Sequence, residues 1–286
     1  MSRLLSVTAP KRGGGWRFVD GGRPGLRHLA IPGGGPADRE SAATGNLLLK
    51  QAALSPCIEI TLSGGRWRFN GQGTLALTGA DFGWQLDGHP VDRYTTLPLE
   101  GEHELRGGFA RRGCRGYLCV RGDWQLPRVM GSIEAGLPGA VMPQPGFSFR
   151  VSSDDHQPRQ QEAPPVSFGM EMVAVDVVAG PEWHWLDRRH RDMLLNTPFR
   201  VGPASDRQGV RLELPASYDT TLPSLLSSPV LPGTVQWTPS GPILLGPDAQ
   251  TVGGYPRVLV ATALPDAVFQ LRPGGEIIFR MVKGDP

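Results

Sequence analysis

The side chains best suited to hold a small polar molecule are concentrated in Leu231–Arg257, LPGTVQWTPSGPILLGPDAQTVGGYPR. Asp248, Gln250, Thr251 and Tyr255 supply donors and acceptors close together in the chain, and Gln236 precedes them on the first of two predicted strands. Gly253 and Gly254 let a backbone approach a ligand closely, and exposed amides there can cradle an anion. A capped hairpin turn uses the same residues, so the local pattern leaves both readings open. There is no GxxxxGK[ST], so the stretch is not a P-loop.

A second cluster, Pro203–Arg211 (PASDRQGVR), combines Ser205 and Asp206, which suit a capped turn, with Arg207 and Arg211. Arginines four apart on a strand share a face and can grip a carboxylate or phosphate; a solvated pair beside a turn has the same spacing. Arg23 and Arg27, followed by His28, repeat that spacing near the start. A third cluster is Ile31–Asp38 (IPGGGPAD), ahead of a predicted helix, where amides and the helix dipole favour an anion. A plain glycine-rich leader with Asp38 as the helix cap fits equally. His184, Asp187 and His190 fall on a second predicted helix with the two histidines about 240° apart, so they cannot share a metal from one face. With no HExxH and no GxSxG elbow, neither a metal site nor a serine hydrolase is expected. Cys57, Cys114 and Cys119 lack metal-ligand spacing, and Cys57 reads as a core residue.

These residues need a framework rich in turns. The 286 residues include 39 glycines and 28 prolines, about twice ordinary usage. The glycines follow no three-residue period, which excludes collagen. So many breakers leave room for few long helices, and short strands are expected instead. Strands are predicted over 4–8, 58–62, 66–69, 74–77 and 117–120, then over 173–178, 209–214, 234–237, 243–245, 257–261 and 276–281. Helices are predicted over about 36–50, with Pro36 at the first turn and Asp38 near the start, and over about 181–195, stopped by Pro198. Residues 152–165 (SSDDHQPRQQEAPP) read as a linker or loose loop, dividing the chain into 1–151 and 166–286. Three blocks of the first part can be laid in order on the second: 5–10 on 176–181, 22–29 on 206–213, and 65–77 on 233–245. Their order suggests a duplicated β unit.

Charge excludes more than it reveals. The formal net charge is +2, and arginine far outnumbers lysine without gathering into a stripe, which argues against a nucleic-acid surface. No apolar run reaches the roughly 20 residues that span a bilayer, and Met1–Pro10 lacks the apolar core of a signal peptide. Together with the odd cysteine count, this leads us to expect a cytoplasmic setting.

Taken in order, the motifs resemble the KipA family, which includes allophanate hydrolase subunit 2 and the C subunit of bacterial ATP-dependent 5-oxoprolinase; its members are often labelled biotin-dependent carboxyltransferase family proteins. The resemblance rests on GRPGLRHLAIPGGGPAD, SAATGNLLL, ALSPCIEITLSGG, RRGCRGYLCVRG, VVAGPE, ASDRQGVRLE, SSPVLPGTVQ, PDAQTVGGYPR and LRPGGEIIF. The DAQTVGGYPR block is the most specific. The resemblance implies a mainly β protein of two tandem cyclophilin-like β-barrel units with a few short helices. It further implies a KipI-type B subunit as partner and, for the oxoprolinase, a LamB/YcsF-type A subunit. ATP, with Mg, would activate a lactam amide by phosphorylation, and water would then open the ring. Biotin is implied only in the alternative, carboxyl transfer in a urea carboxylase-like system. A third reading is a non-catalytic regulatory partner of a KipI-type protein. By motif match, Asp206, Arg207, Arg211, Asp248 and Gln250 are the expected catalytic set. Arg23, His28, Asp38, Gln236, Thr251, Gly253, Gly254 and Tyr255 are the expected ligand-binding set. The chain departs from the family where RFVDGGR stands for TVQDLGR, where Gln208 replaces Met, and where GSIEAG replaces GSRST. The last change removes an arginine and introduces Glu134.

Overall fold

The computed structural model describes residues 3–12, 14–153, 162–164, 171–214 and 222–282. The chain forms two compact units, one of residues 1–23 and 34–169, the other of residues 24–33 and 170–286. The interior of the predicted linker lies outside the described residues. Its ends do not: Ser152 and Ser153 finish a strand, and the Ala163 amide bonds the Tyr94 carbonyl at 2.9 Å. Both units are mainly β. Among the described residues there are two α-helices, and none is long and apolar enough to cross a membrane.

In the first unit ten strands make one sheet. Its path runs Trp16–Val19, Cys57–Thr61, Arg112–Val120, Ser63–Asp81, Arg3–Thr8, Ser148–Ser153 and Asp123–Trp124, each pair antiparallel. The strand Ser63–Asp81 replaces two predicted short ones. Glycine reads as a break in that sequence, but Gly71, at φ 120°, keeps the strand running where it passes Arg3–Thr8; a Cβ there would overlap the Leu4 carbonyl. The partner strand Thr96–Phe109 has no counterpart among the predicted elements. Its Glu100 and Glu104 lie opposite Gln72 and Arg68 and bond them at 2.9 and 3.4 Å on the exposed face. The opposite face of Ser63–Asp81 carries Trp67, Phe69, Leu75 and Leu77 into a core with Phe18, Ile58, Leu118, Trp124 and Phe149.

Helix α1, Arg39–Leu48, is shorter than predicted because Asp38 caps it, accepting the Ser41 amide at 2.8 Å and the Ser41 hydroxyl at 2.7 Å. The Tyr117 hydroxyl accepts the Asp38 amide and donates to Glu59, which also accepts the Ala37 amide. Burial first, then the Glu59 and Asp38 charges, push the Tyr117 hydroxyl well above its ordinary pKa. Cys57 and Cys119 face each other across neighbouring strands, both buried. The hydrogen bond to Cys119, then burial, raises the Cys57 thiol well above its usual range, which makes it a core residue and a poor nucleophile.

The second unit has a seven-stranded sheet in the order Phe199–Arg200, Glu276–Met281, Met172–Ala179, Arg257–Ala261, Thr234–Thr238, Gly241–Leu245 and Gly209–Arg211. Among the described residues, its one parallel pair is Met172–Ala179 with Glu276–Met281. The second predicted helix is broken. A short 3-10 turn, Trp183–Trp185, is followed by extended Leu186, and α2 spans Arg188–Asn196. The break arises because the Asp187 side chain accepts the His190 amide at 2.8 Å and so starts a new helix. Of the three block matches suggesting duplication, the first carries over to secondary structure, with 5–8 and 176–179 both ending strands, and the other two do not. Residues 65–77 lie on one continuous strand, whereas 233–245 make a hairpin that turns before Gly241, at φ 113°. Residues 24–29 enter a 3-10 turn, whereas 209–211 form a strand.

Trp67 is fully buried in the first core and its indole donates to the Gly64 carbonyl at 2.8 Å. Trp67→Ala should therefore cost about 3–5 kcal/mol, read as a lower urea midpoint at unchanged slope.

Candidate functional site

The motif blocks of the second unit converge on the loop 246–257. Its tip pairs with a two-residue strand, Ser228 and Pro229 opposite Gly253 and Val252, and three arginines hold the loop. Arg207 grips Asp248 in a two-pronged bond, Nε to Oδ2 at 2.8 Å and Nη2 to Oδ1 at 2.7 Å, while the Asp248 amide bonds the Arg207 carbonyl at 3.1 Å. Arg27 donates to the carbonyls of Val230, Gln250 and Ala249 at 2.7, 2.6 and 3.3 Å. Desolvation lowers the Arg27 pKa, and a guanidinium stays charged despite such a shift. Arg257 forms the third hold. It bonds both oxygens of Glu182 at 3.0 and 2.8 Å and the Pro229 carbonyl at 3.0 Å.

The loop closes one side of a 350 Å³ pocket lined by Asp206, Arg211, Gln236, Ser240, Gln250 and Tyr255 among others. Two amide side chains meet at its wall. Gln250 Nε2 donates to Gln236 Oε1 at 3.2 Å, and Gln236 Nε2 donates to the Tyr255 carbonyl at 3.3 Å. Gly253 has no side chain for a steric reason: a Cβ there would stand 2.5 Å from Gln236 Nε2. Thr251 and Gly254 act through their carbonyls, which accept the Val230 and Leu225 amides at 3.1 and 3.0 Å. Asp206 accepts the Gln208 and Gly209 amides at 2.8 and 3.2 Å and so closes the turn ahead of Arg211. Gln236 is buried, whereas Gln250, Arg211 and Tyr255 are exposed at the mouth.

Of the residues expected from sequence, Asp206, Arg211, Gln236, Gln250 and Tyr255 line this pocket. Arg207, Asp248, Thr251, Gly253 and Gly254 shape its loop. Arg23, His28 and Asp38 are not among its lining residues. Arg23 and Asp38 belong to the first unit, where Arg23 bonds the Val129 and Glu134 carbonyls and Asp38 caps α1. His28 belongs to the second unit, is exposed, and its ring bonds the Gly25 carbonyl at 2.9 Å. Sequence reasoning misses Glu182 as a site residue and sees Arg27 only as part of a spacing. Arg27 acts on carbonyls, which leave no pattern in sequence. Glu182 sits in the VVAGPE block, where an acid near an arginine-bearing motif is the available signal. Among the described residues, no three His, Cys, Asp or Glu side chains are grouped as a metal site requires.

Residues 29–281 match the family described as carboxyltransferase domain, subdomain A and B. The chain is 35% identical over 247 residues to the 5-oxoprolinase C subunit of Escherichia coli (strain K12), a match covering 84% of this chain and 79% of that one. It is 25% identical to the urea amidolyase of Saccharomyces cerevisiae, covering 90% of this chain but only 16% of the longer protein. The crystal structure of TTHA0988 superposes with a TM-score of 0.84 at 27% identity, covering 96% of this chain; this chain thus spans little more than half, 56%, of that one.

Arg27→Ala should speed amide hydrogen exchange across 249–254 and cost about 2 kcal/mol or more, with Arg27→Lys intermediate. Unchanged exchange in both variants would contradict the carbonyl clamp. The Glu182 carboxyl is held below its ordinary pKa, chiefly by its hydrogen bond to Arg257. A depressed folded-state pKa gives stability that is complete above the unfolded value of about 4.3 and fades as pH falls through the folded one. Glu182→Gln should therefore lose stability at neutral pH and show a shallower acid limb, measured by denaturation between about pH 2 and 7.

Proposed function

The chain belongs to the carboxyltransferase-domain family, subdomains A and B, and from that premise we propose that it is the C-type subunit of an ATP-dependent 5-oxoprolinase, acting with a KipI-type B subunit and a LamB/YcsF-type A subunit. The observation that carries this reading is the pocket wall. Gln236 and Gln250 present amide donors and acceptors beside Arg211, a combination complementary to a lactam bearing a carboxylate. Its volume of 350 Å³ is at the small end of ligand sites, which suits one small acid.

The same pocket does not fit a nucleoside triphosphate. It is small for one, the sequence holds no GxxxxGK[ST] loop, and Arg211 is the arginine that lines it, while Arg27, Arg207 and Arg257 are each committed to the loop. ATP is therefore assigned to the complex and not to this pocket. The two carboxylates expected to do chemistry are also engaged, Asp206 with two backbone amides and Asp248 with Arg207. Within this reading the chain binds and orients the lactam. Asp206 and Asp248 are positioning residues, while Arg211, Gln236, Gln250 and Tyr255 touch the ligand. Ring opening consumes water and ATP and yields glutamate, ADP and phosphate, with groups of the other subunits completing the site.

The engagement of both carboxylates also favours a second reading, a non-catalytic partner that binds a KipI-type protein. The urea amidolyase relative supports a third, carboxyl transfer from biotin, more weakly because its identity is lower. No biotin-carrier Met–Lys–Met occurs in this chain, so the carrier would come from another.

Three measurements on the complex separate the three readings. The protein alone should release no glutamate from 5-oxoproline, and the complex with B- and A-type subunits should release it in proportion to ATP consumed. Gln250→Ala and Arg211→Ala should each lower kcat/KM of the complex by about tenfold or more, largely through KM. A B-type subunit that binds the chain without ATP turnover in any combination selects the regulatory reading. Biotin-dependent carboxylation by the complex selects the third.

A further inference from the structure

Glu134, in the first unit, is 3% exposed. Its Oε1 accepts the Gly35 amide at 2.7 Å and the Asp20 amide at 3.4 Å. Its Oε2 stands 2.5 Å from where a Cβ on Gly34 would be. Gly34 and Gly35 have φ of 68° and 88°, so the loop takes a shape that side chains disfavour and leaves the space to the carboxylate. The main chain of Glu134 is fixed as well. Its carbonyl accepts Arg23 Nη2 at 2.6 Å, and its amide donates to Ser132 Oγ at 3.0 Å. Ser132 Oγ in turn donates to Asp20 at 2.6 Å.

A carboxylate this far from water is costly unless donors meet it. Here one amide of the glycine loop, that of Gly35, and a longer contact from the Asp20 amide of another segment meet it on the same oxygen. An amide bond to a carboxylate is stronger than one to a neutral acceptor, and the Gly35 amide stands 2.7 Å from Glu134 Oε1. The loop that the sequence marks as a candidate anion site is thus filled from within the same unit.

We propose that the Gly34–Gly35 loop is a carboxylate cradle whose ligand is supplied in cis by Glu134, so that the intact chain excludes free acids from it. Clearing Glu134 then uncovers a site for small monocarboxylates. The size of the acid follows from the atoms removed. Glu134→Ala removes a two-carbon carboxylate, which acetate replaces. Glu134→Gly removes a three-carbon one, which propionate replaces.

The test is thermal denaturation against acid concentration, with sodium chloride at equal ionic strength as control. The expected result is a Glu134→Ala protein with a lower Tm than the wild type, raised saturably by acetate and less by propionate. Glu134→Gly should reverse that preference, and the wild type and Glu134→Gln should respond to neither acid. A wild type that responds as the truncated variants do, or truncated variants that show no saturable response, would overturn the proposal. If neither truncated variant folds, the Gly35 amide proton decides the matter. In Glu134→Gln it should move upfield in the NMR spectrum, because an amide oxygen is a weaker acceptor than a carboxylate, and an unmoved resonance would overturn the assignment.

Discussion

Guanidinium groups spent on the chain's own oxygens are the constraint on which the second unit depends. Arg27, Arg207 and Arg257 together bond four backbone carbonyls and two carboxylates around the loop 246–257. A loop with this much glycine and proline has little apolar surface to hold it by burial. Directional, charge-assisted bonds do that work instead, and they fix the backbone as well as the side chains. The amide pair Gln236 and Gln250 can then face the pocket in one arrangement, because the carbonyls on either side are pinned. The blocks that identify the family are largely the two ends of these bonds: GLRHL supplies Arg27, SDRQG supplies Arg207, VVAGPE supplies Glu182, and PDAQTVGGYPR receives them.

Much of the fold is legible because this sequence punctuates its strands. The strands at 3–8, 57–61, 172–179, 257–261 and 276–281 lie within about two residues of their predicted limits, each flanked by residues that break regular structure. The failures come from residues that serve two purposes. Glycine reads as a stop in Ser63–Asp81, where it serves as a point of close approach between strands. Thr96–Phe109 escapes prediction because one face carries glutamates against a polar partner and contributes few apolar residues to the pattern. Asp187 reads as a mid-helix residue although Asp is a good helix starter.

The site is half legible for a related reason. Residue type shows which side chains suit a polar ligand, and five of the thirteen expected residues line the pocket. It does not show which of them are committed to neighbours. Asp206, Asp248 and Arg207 look reactive in sequence and are engaged in the folded chain, while Arg27 looks incidental and holds three carbonyls. Glu134 is the sharpest case. As a letter it reverses the charge expected at a loop; in the structure its carboxyl accepts the Gly35 amide of the glycine-rich loop and the Asp20 amide of a second segment.

The ten residues Pro24–Gly33 lie early in the chain yet are part of the second unit, to which they bring Arg27. This makes the second unit discontinuous in the gene. On the ribosome its first piece emerges long before the remainder and must wait for more than a hundred residues of the other unit to be made. A gene fission at the polar 152–165 segment would leave the downstream product without the arginine that fastens its loop. The two units are thus bound to a common reading frame by a single short excursion of the backbone, and recombination cannot exchange one without carrying off part of the other.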